Sequence, residues 1–319
     1  MRKIAIVRRN GLGDLLCVFP TIAYLKAQDP QTHITLFVDE TNAPLLKYLP
    51  RVEEVVVFKK NSSKYWQILK TAWKYRKRKF DLAISAKTSP MKLMNLFLFA
   101  LGAKKRAAYI EKNWSGLLVN DPIYYDEGQA RTIHQSLKVL HLVAPHLKEV
   151  PKEYCPIIEV PCKEPGPLSI VLTASTTRVS NHLDVTRYAQ LVNRLYAEGI
   201  RLEANILALP SDHIRARAIA SELTVPYHLH FPKSFAEFMQ VLAQADLVFC
   251  GDGGAGHIGA AMGKKTIVLF GESRPGEWAP LGPHVKTFYD PIHVNRLSDN
   301  QIYQALKAFA QVSVAPINC

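Results

Sequence analysis

The sequence lacks the features of a secreted, membrane-spanning or metal-binding protein. Its five cysteines form no Cys-x-x-Cys pair, and their odd number and wide spacing argue against a disulfide framework or a zinc site. No run approaches the roughly 18 uninterrupted apolar residues of a membrane span. The four-residue apolar run at 4–7 is too short for a signal-peptide core. No His, Cys and carboxylate cluster has metal-ligand spacing, so we expect a cytoplasmic protein that needs no metal ion.

Length and composition predict a globular protein of two domains. The chain has 319 residues, a length that is too great for one simple core. Hydrophobic residues make up 48% of it and charged residues 21%, a composition unlike that of a disordered or coiled-coil chain. Residues 151–167 are rich in proline and have no clear periodicity, so they predict a linker. We therefore expect an N-terminal domain over 1–150 and a C-terminal domain over 168–319.

The positive charge is confined to the first half. Residues 1–150 contain 25 Lys and Arg against 12 Asp and Glu, whereas residues 151–319 contain 15 of each kind. The whole net charge of +13 therefore belongs to the N-terminal half. This asymmetry predicts an anionic partner for that half: nucleic acid, a membrane surface, or a phosphorylated or carboxylated substrate.

Short apolar runs alternate with amphipathic stretches along the whole chain. This order predicts two α/β domains with parallel sheets, which we expect to face each other across a cleft. Ligands of such sheets bind beyond the carboxyl ends of the strands, so the loops that follow strands are the candidate sites. The predicted strands are 3–8, 34–38, 54–58, 81–85, 168–173, 203–208, 247–250 and 266–270, and the predicted helices are 14–28, 64–79, 93–101, 131–143, 185–197, 212–223, 235–243, 255–262 and 299–310.

The loop after the first strand reads RNGLGDLL over 9–16 and opens a helix. Two glycines do not make the G-x-G-x-x-G fingerprint of dinucleotide-binding enzymes, so that reading is weak. Asp14 falls in the first helical turn. It is a candidate general base, because a loop carboxylate can take a proton from a hydroxyl nucleophile. The alternative is a carboxylate that complements the helix dipole.

Two loops of the second half predict an anion site. Three hydroxyl residues, Ser175, Thr176 and Thr177, follow the strand at 168–173, where hydroxyls and free N–H groups can cradle an anion or cap the next helix. Asp184 is the better placed cap.

The second of these loops, CGDGGAGHIGAAMG at 250–263, is the strongest local signal. Its glycines allow a diphosphate to approach the start of a helix. His257 can donate to a phosphate or be a core histidine, and Asp252 can bind hydroxyls or cap the helix.

A basic stretch covers residues 59–79. It contains nine Lys and Arg, no acidic residue, and interleaved aromatic residues that include Trp66 and Trp73. On a helix this pattern gives an apolar stripe and a cationic face. It predicts either a solvated helix docked on its domain or a surface that contacts a membrane or an anionic acceptor. No recognised nucleic-acid module accompanies it.

The combination resembles glycosyltransferase family 9, the ADP-heptose:lipopolysaccharide heptosyltransferases. The resemblance covers nearly the whole chain and rests on the segments at 6–22, 80–85, 175–184, 246–271 and 275–283. It implies the GT-B fold, α/β with two Rossmann-like domains, and an inverting reaction.

The resemblance also assigns residues. Asp14 matches the family's catalytic base. Thr176, Thr177, Asp252, Gly254 and His257 match the family's donor contacts, and Lys233 and Ser234 fall in the loop expected near the adenine. The candidate donor-binding residues also include Arg178, Asn181 and Gly253. The candidate acceptor contacts are Arg9, Asn10, Lys59, Lys60 and Lys64.

Four positions depart from the family pattern. Asn181 stands where the family usually has a lysine, Leu183 and Asp184 replace a Trp–Pro pair, and Gly253 replaces a threonine. The missing lysine removes a charge-assisted contact to the diphosphate worth about 1.5–3 kcal/mol. Either Arg178 takes its place, or the donor differs, or the activity is weak.

The expected function is therefore a metal-independent, inverting transfer of heptose from ADP-heptose to the Kdo and lipid A region of lipopolysaccharide. No cofactor beyond the nucleotide-sugar donor is expected. The expected protein is a monomer that sits peripherally on the cytoplasmic face of the inner membrane and binds no nucleic acid. The alternatives are a GT-B enzyme with another nucleotide sugar, and a non-catalytic basic protein that binds membranes or nucleic acid.

Overall fold

The chain folds into two compact units. A computed structural model describes residues 1–9, 11–50, 52–59, 64–161, 163, 165–176 and 178–311. One unit comprises Met1–Pro156 and the other Ile157–Cys319, so the division falls inside the proline-rich segment 151–167.

The first unit is a parallel sheet covered by helices on both faces. Its strand order is β3-β2-β1-β4-β5-β6. Arg8 ends β1 beside the end of β2, and Val7 is opposite Ser85 of β4. Its elements are β1 Lys3–Arg8, α1 Leu12–Leu16, α2 Phe19–Gln28, β2 His33–Asp39, β3 Glu54–Phe58, α3 Lys64–Arg76, β4 Leu82–Ser85, α4 Lys92–Leu101, β5 Lys105–Ile110, β6 Asp121–Tyr124, α5 Glu127–Ala130 and α6 Gln135–His141.

The second unit repeats this plan. Its strand order is β12-β11-β10-β7-β8-β9, again all parallel. Its elements are β7 Leu168–Thr173, α7 Val185–Ala197, β8 Leu202–Leu207, α8 His213–Glu222, β9 Tyr227–His230, α9 Phe235–Ala243, β10 Leu247–Gly251, α10 Gly254–Ala261, β11 Lys265–Phe270, α11 Pro275–Trp278, β12 Val285–Tyr289 and α12 Asp299–Gln311.

The central strands are continuous apolar runs because both of their faces are buried. Ile4 and Ile6 lie on one face of β1 and are fully buried, and Ala5 and Val7 on the other face join the core under α3 and α4. In the second unit Leu202, Ala204 and Ile206 of β8 pack into the core under α7, α8 and α12. The predicted α/β class with parallel sheets is thus confirmed.

Four strands were not predicted: β5, β6, β9 and β12. β6, β9 and β12 are edge strands, which need no continuous apolar run. Pro122 lies in β6, where an edge strand tolerates it, and β9 reads YHLH. β5 begins with Lys105 and Arg106, so only its last four residues form an apolar run, and that run was not predicted as a strand.

Of two further predicted helices, one is divided in the structure and the other begins later than predicted. The helix expected at 14–28 is split into α1 and α2, because Pro20 at the start of α2 has no N–H to continue a helix from α1. The helix expected at 131–143 begins only after His134, whose ring accepts a hydrogen bond from the Ser136 N–H and caps α6. Among the helices of the described ranges, none is long and apolar enough to cross a membrane.

Candidate functional site

In both units the sheet reverses its winding between two adjacent strands. The reversal lies between β1 and β4 in the first unit, and between β7 and β10 in the second. At such a switch point the loops leave the two strands in opposite directions and open a crevice at the carboxyl edge of the sheet. The loops after β1, β7 and β10 are the three that the sequence singles out.

In the first unit a buried ion pair fixes the candidate base. Arg8 is 2% exposed, and its guanidinium pairs with Oδ1 of Asp14 and donates to the carbonyl oxygen of Ala86 after β4. Burial lowers the pKa of Arg8 to about 10, so it stays protonated at neutral pH. The Asp14 side chain is 21% exposed. A fixed cation therefore orients this carboxylate while solvent and ligands can still reach it.

Gly11 leaves room for the second oxygen of Asp14. A Cβ atom on Gly11 would lie 2.6 Å from Oδ2 of Asp14, closer than real Cβ contacts allow. Glycine at position 11 thus permits the turn to fold back against the carboxylate. Arg8, which the sequence analysis did not single out, is the residue that holds Asp14. An arginine at the end of an apolar strand was the available signal.

The predicted acceptor contacts are placed differently from one another. Arg9 forms an ion pair with Asp39 at 2.8 Å, and its guanidinium lies 5.7 Å from the centre of the Phe58 ring, so this arginine is already engaged within its own unit. Lys59 is exposed. Asn10 and Lys60 lie outside the described residues, and of Lys64 only its place at the start of α3 is described.

A second cation near Arg8 was also missed. Lys87 follows Ala86 in the loop after β4 and is half-buried. Burial and the positive charge of Arg8 lower the pKa of Lys87. The carboxyl edge of this sheet thus holds two cations, Arg8 beside the candidate base and Lys87 close enough to Arg8 to act on it, which suits an anionic ligand.

In the second unit the loops after β7 and β10 are joined directly. The Thr176 hydroxyl donates to the carbonyl oxygen of Asp252 at 3.1 Å, and the Ser273 hydroxyl donates to Oδ2 of Asp252 at 2.6 Å. Burial raises the pKa of Asp252, which the hydrogen bond from Ser273 and the charge of Arg178 oppose. Arg178 is exposed and close enough to Asp252 to act on it. Thr177 lies outside the described residues.

The start of α10 has the geometry of an anion site. Its N-cap is Gly253, which provides no side-chain hydrogen bond, so the first N–H groups are not capped by residue 253. Asp252 does not cap the helix, since its carboxylate accepts from Ser273 instead. A Cβ atom on Gly253 would meet nothing closer than 3.9 Å, so the space above the helix start is open. His257 is buried in the helix behind it, 6% exposed.

Asn181 has a different place from the one predicted. Its side chain is 1% exposed, and its Oδ1 accepts a hydrogen bond from the Gly271 N–H at 2.7 Å. Its Nδ2 has no hydrogen-bond partner among the described residues. A Cβ on Gly251 would lie 2.4 Å from the Asn181 carbonyl oxygen, and one on Gly271 would lie 2.5 Å from the Ser180 carbonyl oxygen. Asn181 therefore holds the turn at 179–181 down on the ends of β10 and β11, instead of extending toward solvent as a lysine would.

The remaining predicted donor residues lie at the start of α9. Ser234 is the N-cap: its Oγ accepts from the Glu237 N–H at 3.2 Å, and the Glu237 carboxylate accepts from the Lys233 N–H at 2.9 Å. Both side chains are exposed. A cavity of about 580 Å³ adjoins this loop and extends between β8, β9 and α9.

The cap predicted for the helix after β7 is confirmed. Asp184 caps α7 by accepting from the Thr186 N–H at 3.0 Å, as predicted, and Leu183 is fully buried beside it. Within the described ranges, no three His, Cys, Asp or Glu side chains group as a metal site.

Comparison with known proteins relates most of the chain to one family. A sequence model of glycosyltransferase family 9 (heptosyltransferase) matches residues 68–304. The lipopolysaccharide core heptosyltransferase OpsX of Haemophilus influenzae is 20% identical over 307 residues, which is 88% of this chain and 82% of that protein.

Solved structures share the fold over almost the whole chain. A family 9 glycosyl transferase from Veillonella parvula superposes with a TM-score of 0.81 at 15% identity and covers 97% of both chains. The E. coli heptosyltransferase WaaC with ADP superposes with a TM-score of 0.75 at 18% identity, over 96% of this chain and 99% of that one.

The Arg8–Asp14 pair generates a first prediction. Replacing Arg8 with Met leaves a partly buried carboxylate without its cation, and we expect the free energy of unfolding to fall by about 3 kcal/mol. The double variant Arg8→Met/Asp14→Asn should lose clearly less than the sum of the single variants. Urea denaturation of all three variants measures this coupling. Strictly additive losses would show that the two side chains do not interact.

The packing of the turn at 179–181 generates a second prediction. We expect Gly271→Ala to lower the free energy of unfolding by about 1–3 kcal/mol, because the new methyl group overlaps the Ser180 carbonyl. Gly276→Ala is the matched control, since a Cβ there has no neighbour within 4 Å. Thermal unfolding of both variants tests the packing, and equal stabilities would contradict it.

Proposed function

Because the chain belongs to glycosyltransferase family 9 (heptosyltransferase) and is a glycosyltransferase, we propose that it transfers heptose from ADP-heptose to the inner core of lipopolysaccharide. The acceptor would carry Kdo and lipid A, and the reaction would invert the anomeric centre without a metal ion or another cofactor. The observation that carries this proposal is the joining of Thr176 and Asp252 beside the open start of α10.

The second unit would bind the donor. The diphosphate fits the open space over Gly253, where N–H groups of α10 and the helix dipole favour negative charge. Thr176 and Thr177 would contact phosphate oxygens, Thr176 by turning its hydroxyl from the Asp252 carbonyl to the phosphate. Asp252, Gly254 and His257 belong to the same loop and helix start. As the glycosidic bond to the diphosphate breaks, negative charge grows on the leaving ADP, and these fixed dipoles stabilise it without reorganising.

The first unit would supply the base. An acceptor hydroxyl oxygen forms the new bond to the anomeric carbon, the bond from that carbon to the diphosphate oxygen breaks with its electron pair, and the hydroxyl proton passes to Asp14. Arg8 holds one oxygen of Asp14 and so presents the other. Lys87 and the predicted acceptor contacts Arg9, Asn10, Lys59, Lys60 and Lys64 would bind the anionic acceptor.

The place of action follows from the acceptor. Lipid A anchors the proposed acceptor in a bilayer, so we propose that the enzyme works as a peripheral protein on the cytoplasmic face of the inner membrane. The excess of positive charge in the first unit supports this, because both the acceptor and the surrounding lipid would be anionic.

One observation favours a donor other than ADP-heptose. Position 181 is a neutral asparagine whose buried side chain is bonded to Gly271, so it provides no cation for a diphosphate. A GT-B enzyme with another nucleotide sugar is the corresponding candidate. Calorimetric titration with ADP, UDP and GDP, without divalent metal, separates the two: selective ADP binding supports ADP-heptose, whereas selective UDP or GDP binding supports the other donor.

A third prediction concerns the base. We expect Asp14→Asn to lower turnover by about 10²–10⁴-fold, because the amide cannot accept the acceptor proton. The affinity for ADP should not change, since the donor is assigned to the other unit. Glu127→Gln, which alters an exposed carboxylate of the first unit, is the control and should keep full turnover. Wild-type turnover in Asp14→Asn would refute the assignment.

A fourth prediction concerns the cation at the diphosphate. We propose that Arg178 takes the role of the family's lysine, so Arg178→Ala should weaken ADP binding by about 10- to 100-fold, as expected for a lost charge-assisted contact. Binding of adenosine, which has no phosphate, should be unchanged. Arg201→Ala, an exposed arginine before β8, is the matched control. Equal ADP affinities in the two variants would mean that Arg178 does not contact the diphosphate.

A further inference from the structure

One outer face of the first unit exposes an unusual number of large apolar side chains. α3 and α4 cover the same side of the sheet, pack against each other, and share one core. The turn at 111–118 packs beside α4. The exposed fractions are 76% for Trp66 and 72% for Trp73 on α3, 48% for Phe99 on α4, and 58% for Trp114 and 86% for Leu117 in the turn. We call these five residues the aromatic face.

The helix α3 shows that these side chains are not a misplaced core. Trp66, Lys70 and Trp73 are four and three residues apart, so they form one stripe along the helix. Ile68 and Ala72 lie on the opposite side and are buried against the sheet. One side of the helix therefore packs against its own unit, and the other side exposes tryptophan and lysine side chains to solvent.

Positive charge surrounds the aromatic face. The guanidinium of Arg76 lies 5.7 Å from the Trp73 ring centre, and that of Arg106 lies 5.8 Å from the Phe99 ring centre. Arg78 and Lys104 are paired with acidic residues of the unit. By contrast, the exposed Lys70, Lys74, Lys77 and Lys79 form no ion pair with any residue in the described part of the chain.

We propose that the aromatic face, together with its lysines, binds the surface of an anionic lipid bilayer. Tryptophan side chains favour the boundary between headgroups and acyl chains, and each nearby lysine adds attraction to anionic lipid. Nucleic acid would match the charge, but it offers nothing apolar to Leu117. This inference deepens the proposed function, since it names the surface that would bring the enzyme to a lipid-anchored acceptor, and it rests on that function for the choice of membrane.

The test uses the full chain and vesicles of phosphatidylcholine with and without phosphatidylglycerol. Three of the four tryptophans belong to the aromatic face. Binding to anionic vesicles should therefore shift tryptophan emission to shorter wavelengths and weaken as salt rises. Co-sedimentation measures the partition coefficient. We expect Trp66→Ser/Trp73→Ser to lower it by about tenfold, and Lys70→Gln/Lys74→Gln to lower it by about tenfold with a weaker salt dependence.

Matched controls lie in the second unit. Ile214→Ser removes an apolar side chain that is 73% exposed, and Lys286→Gln removes an exposed lysine. Both should partition like the wild type, and thermal unfolding establishes that all variants are folded. Variants of the aromatic face that partition like these controls would overturn the proposal. Salt-sensitive binding to a DNA or RNA duplex, without binding to anionic vesicles, would overturn it in favour of nucleic acid.

The same variants separate this inference from the proposed function. Titration with ADP should give the wild-type affinity in each of them, because the donor is assigned to the second unit. Vesicle binding without ADP binding would leave the membrane surface standing and refute the proposed donor. ADP binding without vesicle binding would refute the membrane surface and leave the proposed donor standing.

Discussion

The order of the strands determines where chemistry can take place in this chain. Each sheet winds outward from its central pair of strands, β1 with β4 and β7 with β10, so only there do neighbouring loops part at the carboxyl edge. Elsewhere the crossover helices cover the sheet, and the buried strands have no exposed polar groups to offer. Thr176 and Asp252 are 76 residues apart in sequence and meet because β7 and β10 pair in parallel register.

Two buried polar side chains stabilise the loops at these edges. Arg8 bridges the loops after β1 and β4, and Asn181 joins the turn after β7 to Gly271 beyond β11. Each is almost fully buried, and each satisfies a backbone or carboxylate group that would otherwise lose a partner. In both places a glycine lets the chain approach closely: Gly11 beside Asp14, and Gly271 beside Ser180. Rigid loops of this kind hold a site in position before a ligand arrives.

The sequence predicts the regular part of this architecture well. α7 and α9 have the predicted bounds, because each has a strong amphipathic period and a capping residue, Asp184 or Ser234, directly before it. The sequence does not show which of Arg8 and Arg9 points inward. Arg8 ends β1 and Arg9 follows it, and because both faces of a central parallel strand are buried, the apolar pattern of β1 does not show which arginine is buried. Nothing in the sequence indicates that Asn181 is buried, because its hydrogen-bond partner Gly271 is distant in sequence.

The distribution of charge between the units follows the needs of the proposed reaction. The second unit has no net charge and would bind the diphosphate with a helix start, hydroxyls and Arg178, which act at short range and strengthen as negative charge develops on the leaving group. A large positive field there would bind substrate and transition state equally and so add affinity without rate. The first unit has the opposite task, because an anionic acceptor at an anionic surface must be attracted over distances near the Debye length. Its excess lysines and arginines would provide that attraction, while Arg8 is buried and paired with Asp14, the carboxylate proposed as the base.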